Sequence, residues 1–167
     1  IDHVAGVEDV RRLTGAPFHL HPGAQPSLAH LPAQMLMFGM PPFDIPRVDA
    51  PLNAGDTVQV GGLALDVRST PGHAPGHVTL VAREPVDIGG AQSGLAFCGD
   101  VIFAGSVGRV DLPGGDAATL MASIFSEILT LPDDTVLLSG HGPATTVGRE
   151  RATNPFVLAW QRGERFG

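Results

Sequence analysis

The chain has 167 residues, 43% of them hydrophobic and 16% charged. That composition excludes intrinsic disorder and suffices for one domain, spanning 1–167, with a sizeable core. A formal net charge of -7 leaves too little basic surface for a phosphate-tracking groove, which argues against nucleic acid as a partner.

Taken in chain order, Val4, Val7, Val10 and Leu13 recur at helical spacing until Gly15-Ala16-Pro17 stops the pattern, so the chain opens with a short amphipathic helix. Phe18 to His21 reads as a short strand, and Pro22 to Pro46 as helix plus loop with an apolar patch, Met35 to Phe38. From Asp56 the style changes to β-rich runs separated by Gly-rich turns: Thr57 to Val60, Leu63 to Ser69, Val78 to Ala82 and Leu95 to Cys98. Asp116 is placed to cap a helix whose Leu120, Met121, Ile124, Phe125, Ile128 and Leu129 form one apolar face, ended near Pro132. Thr135 to Ser139 is one more strand, and Gly148 to Thr153 a last helical turn before Asn154-Pro155. Strands in two groups with helices between and after them suit a layered mixed α/β fold. No apolar run is long enough to cross a bilayer, so no membrane span is expected. The single Cys98 cannot close an intramolecular disulfide, which points to a reducing, cytoplasmic compartment.

Four places carry metal-ligand chemistry. Imidazole and carboxylate are the donors a borderline divalent ion such as zinc prefers, and strand ends or tight turns let several segments converge on one ion. Asp2-His3 stands directly before a helix; Thr70-Pro71-Gly72-His73-Ala74-Pro75-Gly76-His77 is a turn after a strand. Asp100 follows the apolar run Phe97-Cys98-Gly99, and His141 follows Leu138-Ser139-Gly140. Each has a plainer reading. Asp2 could cap the following helix, His73 or His141 could be a buried histidine bonded to backbone, and Asp100 could be a turn former.

The order of these four places resembles the metallo-β-lactamase superfamily, with its His-x-His-x-Asp-His motif, a later His in a Gly-His turn, a bridging Asp and a final His. The run Gly99-Asp100-Val101-Ile102-Phe103-Ala104-Gly105-Ser106-Val107-Gly108-Arg109-Val110-Asp111 resembles the glyoxalase II-like branch, and Gly140-His141-Gly142-Pro143 its short bacterial members. The resemblance implies a four-layer αββα sandwich of two mixed sheets flanked by helices, incomplete at its N-terminus because two motif histidines would precede Ile1. It implies two metal sites: Asp2 and His3 as ligands of the second ion, His73 of the first, Asp100 as the bridge and His141 as the remaining second-site ligand. Site one then keeps only His73 and Asp100, so weak occupancy is expected there. The cofactor implied is a divalent metal, zinc first, with iron or manganese as alternatives. The chemistry implied is hydrolysis of a small thioester, such as S-lactoylglutathione, by a metal-bound hydroxide, with Asp2 and Asp100 as catalytic residues and Asp2 orienting the nucleophile. Rival readings are a persulfide dioxygenase or lactonase on the same scaffold, and a non-catalytic metal-binding module. The oligomeric state is not legible in the sequence.

Other residues are expected to support rather than to bind. Pro75-Gly76 rules out the helix that a His73/His77 ligand pair would need, which leaves His77 a supporting role. Cys98 is expected to be a packed core thiol, and Arg109 with Asp111 an ion pair bracing the loop after Asp100. His19, His21 and His30 have no partner motif. Met35 to Phe38 with Pro41-Pro42-Phe43 is either a pocket wall or a core stripe.

Overall fold

The computed structural model describes residues 1–166, and the chain divides into two units, Ile1–Leu52 and Asn53–Gly167. In the first, α1 (Val7–Thr14) begins later than the valine spacing predicts and ends where Gly15 takes φ 71 and donates its N–H to Arg11 O. A left-handed residue at that position is what favours glycine. Arg11 pairs with Glu8 one turn back and also reaches the Arg47 carbonyl and Asp49 Oδ1. The Phe18 N–H bonded to Asp49 Oδ2 holds that carboxyl below its ordinary range, helped by Arg11 and Arg47. This brings the chain ends of the unit together, where β1 (His19–Leu20) pairs in parallel with β2 (Ala50–Pro51). Between them lie α2 (Gln25–Ala29) and α3 (Leu31–Met37), each with proline in its first turn, where the missing N–H costs nothing. The apolar patch splits: Met35 is buried with Leu31 one turn away, whereas Leu36, Met37 and Phe38 are exposed.

The second unit is built on a six-stranded mixed sheet. Its strands are β3 (Thr57–Val60), β4 (Leu63–Ser69), β5 (Val78–Ala82), β8 (Leu95–Gly99), β11 (Val136–Ser139) and β12 (Thr145–Thr146), in the spatial order β12-β11-β8-β5-β4-β3. Two small hairpins, β6 (Val86–Ile88) with β7 (Ala91–Ser93) and β9 (Ile102–Phe103) with β10 (Ser106–Val107), interrupt the sequence order. Neither hairpin was legible, because strands of two or three residues carry too little alternation to show. Within the six-stranded sheet all neighbouring strands are antiparallel except β8 and β11. That parallel step needs a crossover, which α4 (Ala117–Ser123) supplies. The other described strands form two-stranded pairs, so the described residues contain one large sheet.

Asp116 caps α4 as the sequence predicts, its side chain accepting from the Thr119 N–H at 2.7 Å. The helix then widens into a π-turn over Ile124–Ile128, closed by Leu129 N–H to Ile124 O. Leu120, Met121, Ile124 and Ile128 are fully buried against Val81, Ala96, Cys98 and Leu137. Val81 pairs with Ala96 and Ala96 with Leu137, so one line of side chains across the sheet meets one helix face. α5 (Val147–Thr153) and α6 (Pro155–Gln161) add Val147 and Val157 to that core. The helical pattern legible in the sequence closes at Thr153; in the structure Asn154 caps a further helix, α6, its Oδ1 accepting from the Phe156 and Val157 N–H groups.

Because β4, β8 and β11 run the same way, their C-terminal ends share one edge of the sheet. The segments 70–77, 100–110 and 140–144 therefore emerge together, at the edge where open α/β sheets place their ligands. Among the described residues no helix is long and apolar enough to cross a membrane.

Candidate metal centre

Three of the predicted residues meet at that edge. His73 Nε2 lies 3.7 Å and His141 Nε2 3.6 Å from the same oxygen, Asp100 Oδ2. His73 Nδ1 is 2.9 Å from the Arg109 carbonyl, a partner that can only accept, so Nδ1 carries a proton and donates it there, which leaves Nε2 as the atom that faces Asp100. A histidine held this way by backbone is the usual state of a metal ligand. The spacing fits the same reading: donor atoms about 2.0–2.1 Å from a tetrahedral ion stand about 3.3 Å apart, nearer to 3.6–3.7 Å than the ~2.9 Å of a direct hydrogen bond. Two imidazoles around a nearly buried carboxylate thus form a donor set suited to a divalent cation. The Phe103 ring flanks His141 with centroids 6.3 Å apart.

His77 supports Asp100. The Asp100 backbone N–H donates to His77 Nε2 at 3.1 Å, so Nδ1 carries the proton and donates to Thr70 Oγ1 at 2.8 Å. That hydroxyl lies 3.0 Å from Thr79 Oγ1. Thr70 and Thr79 are fully buried and escaped the sequence reading, which had no means of seeing a hydroxyl chain formed across two strands.

Close backbone approaches complete the edge. Gly72 takes φ 125 and a Cβ there would stand 2.2 Å from Leu120 N, so only glycine fits before His73. At Gly108 a Cβ would stand 2.0 Å from the Asp100 carbonyl oxygen and 3.0 Å from His73 Cβ. We expect Gly108→Ala to destabilise the chain by about 1–3 kcal/mol through overpacking and to weaken divalent-metal binding in the same protein. Urea unfolding and metal titration check the two effects; unchanged values in both refute the close-approach argument.

Asp2 and His3 lie in the first unit, exposed, with His3 Nε2 3.7 Å from Asp2 Oδ2 and the Ile1 amino group 3.5 Å from Asp2 Oδ1. The N-cap position of α1 is taken by Gly6 and not by Asp2.

Arg109 and Asp111 form a bidentate pair, both bonds 2.7 Å, exposed as a brace would be. Arg109 holds the Asp111 carboxyl down to about 2. Of the unassigned histidines, His21 accepts from the Gly23 N–H and His30 Nδ1 lies against the Pro26 carbonyl.

Cys98 is fully buried, and burial pushes its thiol up to about 12. The folded state favours the neutral thiol, so this contribution to stability is complete below the ordinary value of 9.0 and is lost as pH rises from there toward 12. We expect iodoacetamide to spare Cys98 in the native protein at pH 8 and to modify it in urea, read by intact mass. Native labelling at the denatured rate contradicts the burial.

The family model of the metallo-β-lactamase superfamily matches residues 1–141. The chain belongs to that superfamily, whose fold binds divalent metal ions. It is 38% identical over 128 residues to hydroxyacylglutathione hydrolase GloC of Haemophilus influenzae, covering 76% of this chain and 57% of that protein. It is 32% identical over 158 residues to the mitochondrial persulfide dioxygenase ETHE1 of Mus musculus, covering 92% of this chain and 52% of that protein. The chain thus spans little more than half the length of these two relatives. Among solved structures it is similar to the BLEG-1 B3 metallo-β-lactamase, with TM-score 0.79 and 36% identity over 93% of this chain and 71% of that one. It is also similar to TTHA1623, solved in a di-iron-bound form, with TM-score 0.73 and 37% identity over 92% and 71%.

Proposed function

We propose that this chain belongs to a metal-dependent hydrolase acting on a small thioester of the S-lactoylglutathione type. One observation carries the reading: two imidazole Nε2 atoms face a single oxygen of Asp100, 3.6 and 3.7 Å away. In this reading His73 would help hold the first ion, His141 the second, and Asp100 would serve both. Asp2 and His3 complete the second ligand set, a role resting on their place in the sequence motif. A bound divalent ion supplies Lewis acidity toward a carbonyl and lowers the pKa of water. The protein's share is to hold Asp100 in place, to present the Nε2 atoms of His73 and His141 toward it, and to orient the incoming water with the second oxygen of Asp2. Residues 1–167 acting as one domain, and a cytoplasmic setting suggested by the lone thiol, belong to the same proposal.

Similarity to GloC favours the thioester, and similarity to a persulfide dioxygenase keeps that oxidation as the second reading. Zinc is the proposed metal; the di-iron neighbour makes iron its rival. The test is elemental analysis of the purified protein, with thiol release from S-lactoylglutathione and oxygen uptake with glutathione persulfide measured side by side. Chelator-sensitive thiol release supports the hydrolase. Oxygen uptake alone moves the assignment to the second reading, and an inactive, metal-free protein overturns both.

A further inference from the structure

Glu150 is fully buried on α5 and has no part in the chemistry above. A buried carboxylate is costly unless its oxygens are well supplied with donors, and here they are. Thr145, four residues beyond His141, donates its hydroxyl to Oε1. The backbone N–H of Gly105, at the tip of the β9–β10 hairpin that follows Asp100, donates to Oε2 at 2.9 Å. Asn154 Nδ2 donates to the same oxygen at 2.8 Å and to the Ser106 carbonyl at 2.9 Å. A second tie runs parallel: Ser139 Oγ, two residues before His141, donates to the Ile102 carbonyl at 2.6 Å. The hairpin so held reaches from Asp100 to Gly108, which rests on the Asp100 carbonyl, and to Arg109, whose carbonyl orients His73. It also carries Phe103 to the side of the His141 ring.

Building on the metal-centre reading, we infer that Glu150 is a positioning residue. Its carboxylate clasps the segment after His141 to the hairpin after Asp100, and so sets the spacing of His73, Asp100 and His141. With both oxygens accepting, a carboxylate meets all three donors at once without any of them turning, which suits it to this core position. A purely structural residue would change stability and leave the metal affinity of the folded protein alone; a clasp changes that affinity.

The experiment is zinc titration against a chromophoric chelator on folded parent, Glu150→Ala and Glu150→Gln, with melting midpoints recorded in parallel. Glutamine keeps one oxygen for Gly105 and Asn154, and the Thr145 hydroxyl turns to accept from the new amide. We expect Glu150→Ala to weaken zinc binding about 10- to 100-fold, the usual cost of losing an outer support, and Glu150→Gln to stay within about threefold of the parent. Equal zinc affinity in parent and Glu150→Ala overturns the inference, as does a Glu150→Gln protein that binds as weakly as Glu150→Ala. Should Glu150→Ala not fold, Thr145→Val decides, since it cuts only the tie to the His141 segment: about tenfold weaker binding supports the clasp, and unchanged binding overturns it. A parent that binds no zinc or iron removes the metal-centre reading, and the inference with it, a result distinct from a parent that binds while Glu150→Ala binds equally.

Discussion

Asp100→Asn is expected to lower divalent-metal affinity and thioester turnover by at least about a hundredfold, with the fold retained. Losing an outer support of a ligand already costs about 10- to 100-fold, and Asp100 is a group that both His73 and His141 face. Asparagine preserves the shape and the backbone N–H that His77 accepts, and changes only the charge and one donor oxygen. The stability change is therefore small, within about 1 kcal/mol by denaturant midpoint. Chelator competition and steady-state assays give the first two numbers. If the variant binds metal as the parent does, Asp100 leaves the centre and the bridging role falls with it.

His77→Ala is expected to damage both stability and the site. It strips the partner from the Asp100 N–H and from the Thr70 hydroxyl, both in the interior of the edge. A buried donor left unmade costs about 1–3 kcal/mol. The freed backbone at Asp100 then holds its carboxylate less well, and metal affinity falls about 10- to 100-fold. A ligand and a support separate in the accompanying metal count: at saturating metal, His77→Ala recovers the parent's stoichiometry, whereas loss of a ligand lowers it. A stoichiometry that stays reduced at saturation would make His77 a ligand and refute the supporting role.

The two substitutions act on one small assembly whose parts come from distant stretches of chain. His73 depends on a carbonyl at 109, Asp100 on a ring at 77, and the hairpin between them on a carboxylate at 150. Their effects should not add, because each variant disturbs a geometry the others need. A double variant Asp100→Asn with His77→Ala losing no more affinity than Asp100→Asn alone is the pattern expected of such a unit.

Much of this is legible in the amino-acid sequence. The strands Thr57–Val60, Leu63–Ser69 and Val78–Ala82 stand as read, because each is a β-rich run set off by glycine or proline in the adjoining turns. The Asp116 cap and the apolar face from Leu120 to Ile128 stand too, since a cap and a 3.6-residue period are local properties. The order of Asp2-His3, His73, Asp100 and His141 was enough to recognise the superfamily, because ligand types at strand ends leave a pattern along the chain. What the sequence could not decide is which atoms meet. That β4, β8 and β11 end at one edge follows from pairing between strands up to tens of residues apart. The tautomers of His73 and His77 follow from an Arg109 carbonyl and an Asp100 amide, which carry no side-chain signature. The burial of Glu150 ran against its residue type, since a glutamate in a polar helical turn reads as solvated until the donors of Thr145, Gly105 and Asn154 are seen around it. Periodicity records which face a residue takes; only the folded chain brings a donor from one segment within reach of an acceptor on another.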